Sequence, residues 1–345
     1  MKIKVNKKMI FNILVILLSA IFLVYFCISE NGLFDLVKNA MEFNKIWLSI
    51  ALFFQFLNIF IDAYLIYRLT FSTGKIYSFK DAFKTSMVGQ FFSAITPGAS
   101  GGQPMQIYSM KKQGIDAGHS TSALVQKFLV YQTSITVYGA VSILLKKRMF
   151  LGQVSPLAHW LSSFGFISQS LVIILLFLFS FNRSVTYRII RTVFVWLSKL
   201  KLIKNADEKI IDVETQLNYF HANNMQLYKN RKLVIEVYIL TVFQLTCMFV
   251  VPYFIYRSFN LYGAKMSDMV AAQSFVTMAS SFIPLPGGSG AAEGSFFAFF
   301  SMFFTESTIK SAVLLWRVMT YFLTILVSAP FSGIYSKKSE KNQKK

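Results

Sequence analysis

Charge is scarce in this chain: Asp, Glu, Lys and Arg make up 14% of its 345 residues, against about 25% in an ordinary soluble domain. A surface so short of charge must face something other than water. Acidic residues are the rarest, 15 against 35 Lys and Arg, for a net charge of +20. No basic stripe with interleaved aromatics appears on a soluble module, which argues against a nucleic-acid partner. Two cysteines, Cys27 and Cys247, both lie inside apolar runs and are too few for a disulfide framework or a zinc site. Three histidines, His119, His159 and His221, are scattered without ligand spacing, so no metal is expected. No Walker-type phosphate loop occurs, which argues against direct ATP use, and no cofactor is expected.

Apolar and aromatic residues fill the space left by charge. Hydrophobic residues reach 54%, with 37 Phe, 16 Tyr and 14 Met. About 20 mostly apolar residues cross the hydrocarbon core as a helix. Six runs qualify: Met9 to Ile28, Ile46 to Tyr67, Ala117 to Leu145, Leu157 to Phe181, Leu233 to Tyr256 and Ser311 to Ile334. The first follows Lys2, Lys4, Lys7 and Lys8 like a signal peptide, but its apolar part is too long and no small-residue cleavage site follows, so 9–28 is expected to be an uncleaved span. Lys and Arg are retained on the cytoplasmic side. With the N-terminus inside, 25 of them fall in inner segments and eight in outer ones, with Lys127 and Arg317 inside spans. The expectation is therefore a multi-pass cell-membrane protein, N-in and C-in, against which only the Lys146-Lys147-Arg148 cluster argues.

Two further apolar stretches, Ala82 to Ile107 and Met269 to Phe304, are each broken near the middle by Pro and Gly. Broken helix at membrane depth survives only where protein or a water-filled cavity satisfies the freed backbone. Both are read as re-entrant hairpins; ordinary kinked spans are the alternative. Segment 182–232 is read as cytoplasmic and helical. Its first part sets Ile189, Ile190, Val193, Phe194 and Leu197 among Arg188, Arg191 and Lys199, an amphipathic pattern suited to the interface. The tail 335–345 is a solvated basic run.

The two broken stretches repeat one another. Pro97-Gly98-Ala99-Ser100-Gly101 aligns with Pro286-Gly287-Gly288-Ser289-Gly290. An intramembrane cation with Tyr four residues on follows each: Lys127 and Tyr131 in one copy, Arg317 and Tyr321 in the other, 30 residues after Pro97 and 31 after Pro286. The repeat halves are 46–145 and 233–334 within one polytopic domain, 1–345. If the hairpins do not cross, three spans separate the start of one copy from the start of the other, and their orientations are opposite. The expected fold class is thus an all-α integral membrane protein of about six spanning helices plus two re-entrant broken-helix hairpins, arranged as an inverted repeat. Interrupted helices in corresponding positions of such repeats point to a transport site near the midplane.

A charge at the bilayer centre costs at least about 2.5–3.5 kcal/mol and is rarely present without a role. Lys127 and Arg317 are such charges, with Asp62 and Glu293 as acidic counterparts. Arg317 lies about six residues into its run, shallow enough to snorkel. One reading pairs Glu293 with Arg317 as internal bridges that only fix packing. The other has the cations, with backbone N–H groups at helices resuming after Gly102 and Gly290, hold a lipid phosphate. Glycine there lets backbone approach a ligand closely.

At these residues the chain resembles the membrane region of the lysylphosphatidylglycerol synthase/flippase family. The resemblance rests on Thr96-Pro97-Gly98-Ala99-Ser100-Gly101-Gly102-Gln103-Pro104, on Pro284-Leu285-Pro286-Gly287-Gly288-Ser289-Gly290-Ala291-Ala292-Glu293-Gly294, and on Arg317 to Tyr321, and it covers about 9–334. Family members often carry Glu where Gln103 stands, and Glu-Arg where Gln126-Lys127 stands. The resemblance implies a translocase moving an anionic or aminoacylated phospholipid between leaflets of a bacterial cytoplasmic membrane, with membrane phospholipids as partners and self-association left open. Two alternatives stay open: a phosphatidylglycerol lysyltransferase or its membrane subunit, and an ion-coupled carrier for a small solute. The family's synthase activity belongs to a separate cytosolic domain, which is not expected within these residues.

Overall fold

The computed structural model describes residues 43–146, 156–199, 206–281, 283, 285–332. The first expected span, 9–28, and the basic tail lie outside these. Among the described residues there are helices and turns but no strand. Five helical stretches are long and apolar enough to cross a membrane: Lys45–Phe71, Ala117–Leu145, Ser163–Phe181, Arg231–Ser258 and Glu306–Ser332. They coincide with the five expected spans inside the described residues.

In chain order, α1 is Lys45–Phe71, α2 Phe79–Ile95, α3 Gly102–Lys112, α4 Ala117–Leu145 and α5 Pro156–Phe181. Two helices from the expected cytoplasmic segment follow, α6 Arg183–Lys199 and α7 Ala206–Lys229. Then come α8 Arg231–Phe249, α9 Val251–Ser258, α10 Met266–Ser280 and α11 Ala291–Phe300. The last, α12 Glu306–Arg317, runs through a π-helical turn, Val318–Phe322, into α13 Leu323–Ser332.

Local chemistry sets several ends. Asn44 caps α1 by accepting the Ile46 N–H, and Ser78 caps α2 by accepting the Asp81 N–H. Each removes one of the donors a helix start leaves unpaired. α2 stops at Thr96, which is extended because a residue preceding proline is pushed out of the α region. Pro252 sits at the start of α9, where its missing N–H costs nothing, and it marks the α8–α9 break.

Each broken stretch folds back on itself. A Cβ on Gly89 would run into Gln106, and one on Gly102 into Ser93, so α3 returns antiparallel along α2 at close range. In the second copy Phe275 of α10 faces Phe299 of α11, with ring centroids 5.6 Å apart. Each stretch is thus a pair of helices packed side by side about a Pro-Gly turn.

Contacts between helix ends order the bundle. At one end the Asn44 N–H donates to the Ser258 carbonyl at 2.9 Å, and Lys146 meets Asp268 at 2.7 Å. At the other, Arg68 forks onto Glu236 at 2.5 and 2.6 Å, Lys75 meets Asp116 at 2.9 Å, and the Gly118 N–H reaches Gln216 at 2.8 Å. The α2–α3 hairpin is therefore entered from the Arg68 end and the α10–α11 hairpin from the Lys146 end. Their tips meet where Pro97 and Pro286 form an antiparallel bridge. α2 has 17 residues, about 25 Å at 1.5 Å per residue.

The largest apolar cluster packs α9 to α12 around Phe254, Phe275, Phe296, Phe299, Phe300 and Trp316. A second joins α1, α4 and α8 through Ile61, Leu65, Leu69, Val130 and Val237. By contrast Leu171, Ile174 and Leu175 on α5 are more than half exposed, as expected for a span whose outer face meets lipid.

Candidate functional site at the paired loops

The two loops adopt matching backbones. Gly98 and Gly287 have φ of 57° and 60°, and the next residues, Ala99 and Gly288, have 55° and 62°. This left-handed region penalises a Cβ, so Ala99 bears a strain that its counterpart Gly288 does not. Thr96 braces the first loop by accepting the Gly101 N–H at 2.8 Å while donating to the Phe92 carbonyl at 2.6 Å. Ser289 braces the second by donating to the Pro286 carbonyl at 2.7 Å.

Arg317 sits deeper than its position in the apolar run implies. α12 begins at Glu306 rather than Ser311, which places Arg317 eleven residues in, and the residue is only 5% exposed, so the guanidinium does not snorkel. Its Nε donates to Glu293 Oε1 at 2.6 Å and its Nη2 to the Gly287 carbonyl at 3.0 Å. Glu293 Oε2 in turn accepts the Gly290 N–H at 2.6 Å. The carboxylate thus fills the anion seat at the start of α11, where the helix dipole favours negative charge. The second loop, its following helix and the cation form one neutral, cross-linked unit.

At the π-helical turn directly after Arg317, the Thr320 carbonyl accepts from the Thr324 hydroxyl at 2.6 Å and from Gln55 of α1 at 3.3 Å, and Gln55 also donates to Thr324 Oγ1 at 3.1 Å. Such turns are rare and concentrate at functional sites. Tyr321 lies under Gly287, where a Cβ would collide with its ring, and its hydroxyl donates to the Ala94 carbonyl at 2.9 Å. Tyr321 therefore links the second half to the last turn of α2 beside the first loop.

Lys127 is held elsewhere. Its Nζ meets Asp62 Oδ1 of α1 at 2.5 Å. Ser86 of α2 donates to Asp62 Oδ2 at 2.5 Å, and Gln244 of α8 reaches Oδ1 at 3.5 Å. Tyr131 packs against Ile135, Leu245, Phe249 and Met278. Among the described residues no hydrogen bond or ion pair ties Lys127 to the first loop. Pro97, Gly98, Ser100 and Gln103 are left exposed, whereas Gly101 is half-buried and Gly102 is buried against Ser93. In the second loop Pro286, Gly287, Gly288 and Ser289 are half-buried, and only Gly290 is exposed.

The structure thus brings Pro286, Gly287, Ser289, Gly290, Glu293, Arg317 and Tyr321 into one cluster and sets Pro97 of the first loop against it. It places Lys127 and Tyr131 in a neighbouring polar cluster. Sequence reasoning singled out both cations and both carboxylates. It missed Ser86, Gln244 and Gln55, which are ordinary polar residues on apolar helices and show no spacing signal, and it quoted Thr96 in the first motif without a role. Glycines read for ligand approach also serve packing, since Gly102 admits Ser93 and Gly287 admits Tyr321.

Together these features define a polytopic helical membrane protein with two broken-helix loops that meet at Pro97 and Pro286, one half carrying a buried ion pair and the other a partly buried one. The chain belongs to the family described as the lysylphosphatidylglycerol synthase TM region, which it matches across residues 10–328. It is 24% identical over 279 residues to a UPF0104 membrane protein of Archaeoglobus fulgidus, an alignment covering 75% of this chain and 78% of that protein. It is 25% identical over 278 residues to the uncharacterized protein MG306 of Mycoplasma genitalium, covering 72% of this chain and 66% of that relative.

Proposed function

We propose that this protein is a lipid translocase that carries an anionic or aminoacylated phospholipid between the leaflets of the cell membrane. The observation that carries the reading is the junction of Pro97 and Pro286 with Pro97 to Ser100 left exposed. Non-helical backbone at membrane depth needs protein or water beside it. An exposed loop about 25 Å along α2 therefore calls for a water-filled recess that reaches into the bilayer. On this reading the hairpins are re-entrant, one from each face, and the two halves form an inverted repeat about the junction, the arrangement in which carriers place their sites. The family's description, which names lysylphosphatidylglycerol, supports an aminoacylated phospholipid as the cargo.

In this mechanism the lipid phosphate enters the recess at the first loop and displaces Asp62 from Lys127, while Arg317 stays paired with Glu293 and holds the second loop in place. Lys127 rests neutralised by Asp62 until the phosphate arrives. Holding the charge in a ready pair lowers the cost of keeping it at depth. The test is a liposome assay with a fluorescent phospholipid quenched from outside. In a background free of Cys27 and Cys247, Ser100→Cys treated with a bulky polar thiol reagent is expected to lose flipping, and excess lysylated lipid to slow its modification. Full flipping after complete modification would overturn the proposal. Orientation is tested by cysteines at Asn39 and Asn205, expected to label from outside and inside respectively.

A further inference from the structure

A second recess lies apart from the loops, between the later half of α4, α8 and the start of α10. It has a volume of about 440 Å³, within the range of single-ligand pockets. Its wall is apolar, with Val137, Val141, Tyr238, Val242 and Val270 among its residues. It extends from Thr133 to Lys146 on α4, thirteen residues or about 20 Å of helix. That length compares with the ~15 Å half-thickness of the hydrocarbon core. The groove also opens sideways: Val137 is 56% exposed, Val141 46% and Val242 42%, all on helices apolar enough to span.

The mouth is polar on one edge only. Lys146 Nζ donates to Ser267 Oγ at 2.7 Å and contacts Asp268 Oδ1 at 2.7 Å, with both charged side chains 25% exposed. An ammonium has three donors and a carboxylate two acceptor oxygens. Among the described residues the pair leaves one N–H of Lys146 and Oδ2 of Asp268 open to a ligand, offering one contact of each sign side by side. Shape and charge together describe a long apolar chain ending in a group with both a negative and a positive charge.

We propose that this groove binds one acyl chain of a zwitterionic phospholipid from the leaflet at the Lys146 end, its phosphate on Lys146 and its head-group ammonium on Asp268. The site does not depend on translocation, because a protein that moved no lipid would still present it. The groove shares no residue with the paired loops.

The full chain, reconstituted in nanodiscs of phosphatidylethanolamine and phosphatidylglycerol, is irradiated with one or the other lipid carrying a diazirine on its acyl chain. Labelled peptides are then mapped by mass spectrometry. Labelling of 133–145 and of Val242 is expected to exceed several-fold that of Leu171 and Ile174, which face bulk lipid on α5. The ethanolamine lipid is expected to label the groove about threefold better than the glycerol lipid, as befits a partly exposed ionic contact. Asp268→Asn is expected to erase that preference while leaving labelling itself in place, and Val242→Trp to remove groove labelling without reducing that of α5. Groove labelling no higher than that of α5, or cross-links joining two copies of the chain through these residues, would overturn the site. Equal labelling by both lipids would overturn the head-group assignment.

Discussion

In the second half of the molecule the cation grips its own loop: Arg317 binds both Glu293 and the Gly287 carbonyl, and Tyr321 fills the space beneath Gly287. In the first half Lys127 turns to Asp62 on α1, and the loop from Pro97 to Ser100 is left exposed with Thr96 as its brace. Both halves solve the same electrostatic problem, since a charge at depth must be neutralised nearby. They differ in what the neutralising pair holds still. The second loop is a fixed abutment, and the first is the one with freedom to respond to a ligand.

The largest effect tests the abutment. Arg317→Gln leaves Glu293 as an unpaired buried carboxylate, and Glu293→Gln strands Arg317. Each is expected to cost about 3–5 kcal/mol of stability, read as a loss of thermal midpoint in detergent. The double variant is expected to recover much of it. If the singles keep the native midpoint but lose flipping, the abutment description fails and the pair acts only in transport.

Lys127→Gln should cost less, about 1.5–3 kcal/mol, because Asp62 retains the Ser86 hydroxyl and the Gln244 amide. A loss equal to that of Arg317→Gln would erase the contrast between the halves. The same denaturation experiment reports it.

Loop strain gives a smaller, signed effect. Ala99→Gly is expected to stabilise the protein by up to about 1 kcal/mol, and the equivalent Gly288→Ala to destabilise it by about 1–2 kcal/mol, since both positions are left-handed. Gly288 has the further constraint of the Ser280 carbonyl, 3.2 Å from where a Cβ would lie. Changes of the same sign at both positions would show that the loops do not share a backbone.

The smallest effect lies outside the spans, at the turn joining the first hairpin to α4. A hydrogen bond from Lys75 holds the Asp116 carboxyl below its usual value. A depressed folded pKa stabilises the fold above the unfolded pKa of about 3.9, and that contribution fades as pH falls through the folded value. Because Asp116 is 51% exposed, the effect is at most a few tenths of a kcal/mol after screening. Asp116→Asn should flatten the fall in thermal midpoint between about pH 5 and 3 by that amount, and an unchanged slope would discount the contact.

Much of this protein was legible from residue order. Apolar run length located the five described spans because the bilayer sets a fixed length for a helix. Proline and glycine located both interruptions because neither continues a helix at no cost. The spacing of Lys127 and Arg317 from the prolines pointed to a repeat, and their rarity at depth marked them for pairing.

Only the folded chain decided the rest. That Lys127 pairs with Asp62 rather than with a group near its own loop depends on how α1, α2, α4 and α8 meet, and helices distant in sequence carry no mark of their neighbours. The start of α12 at Glu306 buried an arginine that run length alone placed near the surface. The meeting of Pro97 with Pro286, and the reach of Tyr321 to Ala94, join residues 189 and 227 positions apart. Composition determined that this chain lives in a membrane, because apolar transfer is local and additive over a helix. Packing determined which polar groups meet inside it, because each contact is set by several helices at once.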